Sequence, residues 1–135
     1  MRSKHFLTVL FLILAIFLSG CGVITDEVKI RNVIDDYFLA INNQDWEKAK
    51  NFCMYESEVY YETCSLENYI DSFYPSVVII IFLIDVFDIL ITGNYASAYI
   101  YGSLTIIIDD QIITEDSPGK FYLQKISNNW KIFDW

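Results

Sequence analysis

An α+β fold follows from the order in which two hydrophobic periods occur along the chain. Between Ile30 and Ile41 apolar residues recur at three and four, the period of an amphipathic helix. From Val77 onward the composition turns β-branched and aromatic, and between Tyr95 and Ile106 it alternates strictly. Helices first and antiparallel strands after them imply a helical layer on one side of a sheet.

Ile30, Val33, Ile34, Tyr37, Phe38 and Ile41 form the apolar stripe of the first helix. Asp26 and Glu27 stand in its first turn, where acids suit the helix dipole, and Asn42-Asn43 ends it. Asp45 caps a second, short helix with Trp46, Ala49, Phe52 and Cys53 inward. Ser65 reads as the cap of a third, with Leu66, Tyr69, Ile70 and Phe73 inward and Pro75 as its stop. Val77 to Ile84 is a continuous apolar run, read as a strand buried on both faces. It extends through Ile91, a length that calls for a bend or bulge. Gly93-Asn94 turns the chain. In the next strand Ala96, Ala98, Ile100, Gly102, Leu104 and Ile106 share one face, and Tyr95, Ser97, Tyr99, Tyr101, Ser103 and Thr105 the other. Asp109-Asp110 and Ser117-Pro118-Gly119 are further turns, and Lys120 to Ile126, Asn128-Asn129 and Trp130 to Trp135 make a final hairpin. Trp46 and Trp130 are expected in the core and Trp135 at the surface.

The N-terminal segment carries a different message. Arg2 and Lys4 precede a run from Phe6 to Leu18 that only Thr8 interrupts, and Leu18-Ser19-Gly20-Cys21 follows. A basic start, an apolar core and a small-residue cleavage site make a secretory signal peptide. The run is 13 residues, short of the about 20 that span a bilayer. The four residues ending at Cys21 resemble the lipobox of bacterial lipoproteins. That resemblance implies cleavage after Gly20, acylation of Cys21 (palmitate among the chains) and export to a membrane face. Gly22 rather than Asp then favours the outer membrane in a host that has one. The expected organisation is a signal peptide over 1–20, a lipidated tether over 21–25 and one domain over 26–135.

Composition excludes several classes of function. Loss of residues 1–20 would remove Arg2 and Lys4, leaving 7 basic residues of 9 against all 18 acidic ones, a net of −11. Such a surface repels nucleic acid, and no basic stripe opposes it. His5 is the sole histidine and falls in the signal peptide. The remainder therefore lacks Ser-His-Asp and Cys-His machinery and the commonest transition-metal ligand. No G-x-S-x-G, Gly-rich phosphate loop or C-x-x-C occurs, and no metal or cofactor is implied. Cys53 and Cys64 remain as an even pair. In an oxidising compartment a disulfide is expected, stabilising the fold by about 3 kcal/mol; the alternative is two buried thiols acting as small hydrophobes.

Three segments, taken in order, carry a fold-level resemblance: Val33-Ile34-Asp35-Asp36-Tyr37-Phe38 with Asn43-Gln44-Asp45-Trp46-Glu47-Lys48-Ala49; Ile91-Thr92-Gly93-Asn94-Tyr95-Ala96-Ser97-Ala98; and Asn128-Asn129-Trp130-Lys131-Ile132. The arrangement resembles the NTF2-like superfamily, also called cystatin-like or SnoaL-like, over the whole chain after Cys21. The resemblance implies a long helix packed into a strongly curved antiparallel sheet around a conical pocket. It also implies a fold used by enzymes and binding modules alike, one that often dimerises through its sheet.

The candidate catalytic residues are Asp85, Asp88, Tyr99 and Tyr101. Asp85 and Asp88 lie in the most apolar stretch, where a carboxylate inside the cone would have a raised pKa. Their spacing of three sends them to opposite faces of a regular strand, and acids at an edge or bend equally serve to meet water and discourage aggregation. Tyr99 and Tyr101 share a face and could polarise a carbonyl beside a carboxylate, or simply cover a half-exposed sheet. Tyr55, Tyr60 and Tyr61 with Glu56, Glu58 and Glu62 read as an acidic, aromatic loop between the cysteines. The leading expectation is a lipid-anchored, non-catalytic module binding a small apolar ligand or an envelope protein. The alternatives are a cofactor-free isomerase or dehydratase using one Asp and one Tyr in the cone, and a structural subunit that forms a homodimer through the sheet.

Overall fold

The computed structural model describes residues 24–135. The signal peptide and the lipidation of Cys21 lie outside the described residues. Three helices precede five strands: α1 (Asp26–Asn42), α2 (Trp46–Phe52), α3 (Glu58–Asp71), β1 (Val78–Thr92), β2 (Tyr95–Ile108), β3 (Gln111–Asp116), β4 (Gly119–Ile126) and β5 (Asn129–Asp134). All strands pair antiparallel in the order β1-β2-β4-β5, with β3 on the far half of β2. The chain is α+β, with one helical layer on one face of a bent sheet. Among the described residues no helix is long and apolar enough to cross a membrane.

Helix α1 begins where Thr25 accepts a hydrogen bond from the Val28 amide, and its stripe of Ile30, Ile34, Tyr37, Phe38, Ala40 and Ile41 is buried. Its N-terminus is tied to the last hairpin by Asp26. That carboxylate accepts from Lys125 Nζ at 2.9 Å and from the Trp130 indole at 3.2 Å, and these donors hold its pKa below the usual range. Helix α2 is capped by Asp45, which accepts from the Lys48 amide.

The third helix begins earlier than its sequence suggests. Ser57, not Ser65, is the cap, accepting from the Tyr60 amide at 3.3 Å. Ser65 lies mid-helix and donates to the Tyr61 carbonyl. Of the segment read as an acidic loop, Tyr55 and Glu56 lie in the turn before Ser57 and residues 58–62 open α3, stabilised by burial of Val59 and Thr63. The Tyr74–Pro75 peptide after it is cis.

The long β1 is regular to Phe87, opposite Tyr99, and resumes at Leu90, opposite Ser97. Asp88 and Ile89 therefore face Ala98 together, and Asp88 takes a φ of +48°. This is the bulge its length called for, at a residue type that tolerates the left-handed region. Gly93, at a φ of +61°, opens the two-residue turn to β2.

Val78, Ile80, Phe82, Ile84 and Val86 face the helices. Ile79, Ile81, Leu83 and Phe87 face away and are exposed. The run expected to be buried on both faces is covered on one only, because among the described residues no second layer lies behind the sheet. Every core residue falls between Ile30 and Ile132, so a chain of residues 23–135 carries the core whole.

The free edge of β1 is closed by side chains of α1 and the turn after it. Arg31 donates to the Val86 carbonyl, and Gln44 donates to that of Val78 at 2.7 Å. Asn42 donates to the Phe82 carbonyl at 3.0 Å and accepts from its amide at 2.6 Å. Asn42→Ala would strand both backbone groups of Phe82 in a half-buried setting. An unpaired buried polar group costs ~1–3 kcal/mol, so urea unfolding should show a loss of about 2 kcal/mol with an unchanged m-value.

Candidate functional site

Between the sheet's concave face and the helices lies a cone enclosing roughly 310 Å³. Its wall is Phe38 and Ile41 from α1, Leu66 from α3, Phe82 and Ile84 from β1, Ile100 to Leu104 on alternate positions of β2, Ser117 to Gly119, Phe121 and Trp135. The sheet's alternation puts these residues there: each strand sends every second side chain inward. Gly102 gives the wall its depth. A Cβ at this position would stand 2.8 Å from both the Ile84 side chain and the Leu83 carbonyl. Phe38 packs on Phe82 at 4.9 Å and on Phe121 at 5.6 Å between ring centroids, and Trp135 packs on Phe121 at 5.4 Å. The wall contains no titratable side chain.

The mouth is different. Leu66, Phe82, Leu104 and Trp135 continue from the wall into an outer recess that adds Tyr37, Glu62, Thr63, Ser65 and Tyr69. The Tyr37 hydroxyl is 3.0 Å from Thr63 Oγ1, and Thr63 donates to the Val59 carbonyl at 2.7 Å. Thr63's one proton is therefore committed, and Tyr37 must be the donor to it. Burial pushes the Tyr37 phenol far up, so this hydroxyl is a structural strut. Glu62 is the one carboxylate among the residues lining this recess. Its Oε2 is buried and accepts no hydrogen bond among the described residues. Its pKa is raised, first by burial and then by Glu58, with the Trp135 side chain acting in the opposite sense.

None of the four sequence candidates enters the cone. Asp85 and Tyr101 are cross-strand partners, so an Asp–Tyr pair does form. It lies on the outer face in an open recess with Leu83, Ser103 and Asp116, where nothing excludes water. Asp88 is the exposed bulge residue. Tyr99 stacks on Phe87 at 6.0 Å, also outside. The reason is the phase of the strands: odd positions of β1 up to the bulge, and of β2 throughout, point away from the helices.

The bridge expected between Cys53 and Cys64 is absent, and both are free thiols. Cys53 closes α2 with its sulfur against the Ala49 carbonyl at 3.5 Å and Thr63 Oγ1 at 3.7 Å. Burial pushes its pKa up to about 11, the state of an inert, buried thiol. Cys64, the next residue on α3, is half-buried. Trp130 is buried and Trp46 packs on the core as expected. Trp135, expected at the surface, is part-exposed and still lines the cone. Among the described residues no group of His, Cys, Asp and Glu could hold a metal ion. The sequence reading named Glu62 in an acidic, aromatic loop; it lies instead on α3, and the Ser57 cap followed by Glu58 and Val59 was the available signal.

No family model and no curated protein matches the chain. Solved structures do. A conserved protein from Planctomyces limnophilus superposes with a TM-score of 0.64 at 14% identity, over 80% of this chain and 91% of its own. An NTF-2 like protein of unknown function from Shewanella oneidensis gives 0.56 at 16% identity, over 81% and 95%. A protein of unknown function from Mycobacterium tuberculosis gives 0.56 at 16% identity, over 83% and 74%. With the helices, the bent five-stranded sheet and the cone already in view, these likenesses make the fold of this chain NTF2-like.

Proposed function

We propose that this chain is a lipid-anchored protein of the cell envelope whose cone binds a small apolar molecule without chemically altering it. The observation that carries the reading is the cone itself: about 310 Å³ walled by Phe, Ile, Leu and Trp with no titratable group on the wall. Pockets that are mostly apolar with few polar groups are the usual form of small-molecule sites. The Asp and Tyr residues that a cofactor-free isomerase would use lie on the other side of the sheet. Anchoring rests on the Leu18-Ser19-Gly20-Cys21 motif behind an apolar run too short to span a bilayer. Two or three acyl chains, at about 0.8 kcal/mol per buried CH₂, would hold the domain on a membrane face.

A second reading has its own observation. The outer sheet face exposes Ile79, Ile81, Leu83, Phe87, Tyr99, Tyr101, Ile112 and Tyr122. Their exposure runs from 37% to 68%, and a contiguous apolar face of this kind marks an interaction site. Lys120 sits within this face, 4.9 Å from the Tyr99 ring and 5.3 Å from that of Tyr122, and Asp85 and Asp116 border it. A second copy of the chain meeting this face would give a sheet-to-sheet homodimer.

Three measurements test these statements. Cys21→Ser should abolish incorporation of a palmitate analogue and move the protein out of the membrane fraction; unchanged labelling refutes the anchor. Native mass spectrometry of the protein purified without denaturant from its own envelope should retain a ligand mass, and Leu66→Trp, which puts a larger ring from α3 into the cone, should lose it. Sedimentation at rising concentration should show a dimer that the double variant Leu83→Lys/Tyr101→Lys converts to monomer at unchanged helical content; a wild-type monomer at high concentration ends the homodimer reading.

A further inference from the structure

The sheet covers two of its edges and leaves a third bare. Side chains of Arg31, Asn42 and Gln44 close the edge of β1. The chain after α2 closes that of β5, where Cys53 bridges Ile132 and the Met54 amide donates to the Ile132 carbonyl at 2.7 Å. Among the described residues β3 pairs with β2 alone, and its whole length from Gln111 to Asp116 is exposed. The ladder determines which backbone groups that edge offers. The Ser117 amide donates to the Gly102 carbonyl at 2.8 Å, in register with the pairing of Asp116 to Ser103. Alternate residues of an antiparallel pair exchange hydrogen bonds, so Gln111, Ile113 and Glu115 turn their amides and carbonyls toward β2. Ile112, Thr114 and Asp116 turn theirs outward. The Thr105 and Thr114 hydroxyls, 3.2 Å apart, fit that phase, because side chains approach more closely at the non-hydrogen-bonded pairs.

An edge with its hydrogen-bonding groups outward is a template for one more strand. Neither of the usual backbone obstacles stands here: β3 contains no proline, and its register with β2 runs unbroken from Asp116 to Gln111. Ile112 and Ile113 are exposed on opposite faces, so an added strand meets an apolar neighbour on each side. Charge then selects among strands. Asp109, Asp110, Glu115 and Asp116 flank the two isoleucines, and no Lys or Arg occurs between Lys50 and Lys120. A second copy laid along this edge would bring both sets of acids together, and like charges across a ladder destabilise it. A strand carrying Lys or Arg is drawn to the same acids.

We propose that the free edge of β3 is a docking site for an extended basic segment of a partner protein. The segment joins the sheet as an extra strand through the outward backbone groups of Ile112, Thr114 and Asp116. Its alternate apolar side chains lie beside Ile112 and Ile113, and its Lys or Arg side chains meet Asp109, Asp110, Glu115 and Asp116. The site is independent of what occupies the cone and of any pairing through the outer sheet face.

Two capped peptides test this by NMR titration of isotope-labelled residues 23–135 at neutral pH: Lys-Val-Thr-Val-Thr-Val-Lys, and the same sequence with glutamate in place of each lysine. The basic peptide should slow hydrogen exchange at the amides of Ile112, Thr114 and Asp116 and leave those of Ile113 and Glu115, already paired to β2, unchanged. It should bind about tenfold or more tighter than the acidic one at low ionic strength, an advantage that shrinks as salt is raised. Thr114→Pro removes an outward N–H and no ladder hydrogen bond, and should weaken the basic peptide severalfold. Glu115→Lys/Asp116→Lys should abolish the preference for the basic peptide and supplies the comparison if the proline variant misfolds. Unchanged exchange at the three outward amides at the highest soluble peptide concentration, or equal affinity for the two peptides, overturns the proposal. Slow exchange at those amides in the protein alone, lost on dilution, makes the occupant a second copy and overturns it equally.

Discussion

A strand of 15 residues at the edge of a sheet turns half of its backbone groups outward, and β1 meets that demand with side chains from α1 and its turn. The two elements run antiparallel, so Arg31 reaches Val86, Asn42 reaches Phe82 and Gln44 reaches Val78. Eleven helical residues from Arg31 to Asn42 rise about 16 Å, and four strand residues from Val86 to Phe82 about 13 Å. The near match lets one helix clamp the strand at intervals of four. Unpaired edges are templates for aggregation, and this one is unusually apolar. The same clamp sets the helix at the height where Phe38 and Ile41 become cone wall. Edge protection and pocket geometry are thus consequences of one helix placement.

Everything on the far side of the sheet follows from having a single helical layer. Inward residues of β1 and β2 find Ile34, Phe38 and Ile41; outward ones find solvent. A polar outward face would be the ordinary solution for a half-covered antiparallel sheet. Here Leu83 is 67% and Ile112 68% exposed, and the Lys120 cation on that face is shared between two tyrosine rings. Exposed apolar area of this extent is a recognition feature. It is also the origin of the misread double burial of β1. Continuous hydrophobicity reports that both faces are apolar, and says nothing of whether both are covered.

What was legible in the sequence was what periodicity encodes. The α1 stripe, the Asp45 cap, the Gly93 turn and the inward set of β2 all fell where spacing put them. Residues 55–62 defeated the same logic, because two adjacent tyrosines and β-branched Val59 are indifferent helix formers and the segment carries no clean apolar stripe. Tertiary burial of Val59 and Thr63, with the Ser57 cap, supplies what propensity withholds. That error put Glu62 and Cys64 in a loop instead of on α3. The candidate aspartates failed for a subtler reason. Apolar neighbours in sequence suggested an apolar environment in space, whereas period 2 places alternate neighbours on opposite sides. Asp88 is where it is for its backbone, since a bulge needs a residue at ease at positive φ.

A carboxylate at an apolar mouth invites a catalytic reading, and the surrounding chemistry argues for recognition instead. General acid–base work needs a second group aligned on the reacting atoms. The buried phenol of this recess, Tyr37, spends its proton on Thr63, whose own proton is spent on Val59. No histidine remains beyond His5, and the cone wall has no ionisable side chain to pair with Glu62. Glu62 Oε2 is itself shut off from the recess, so the cone discriminates through the shape of its apolar wall, and discrimination of that kind is shallow, about one to three kcal/mol per methylene.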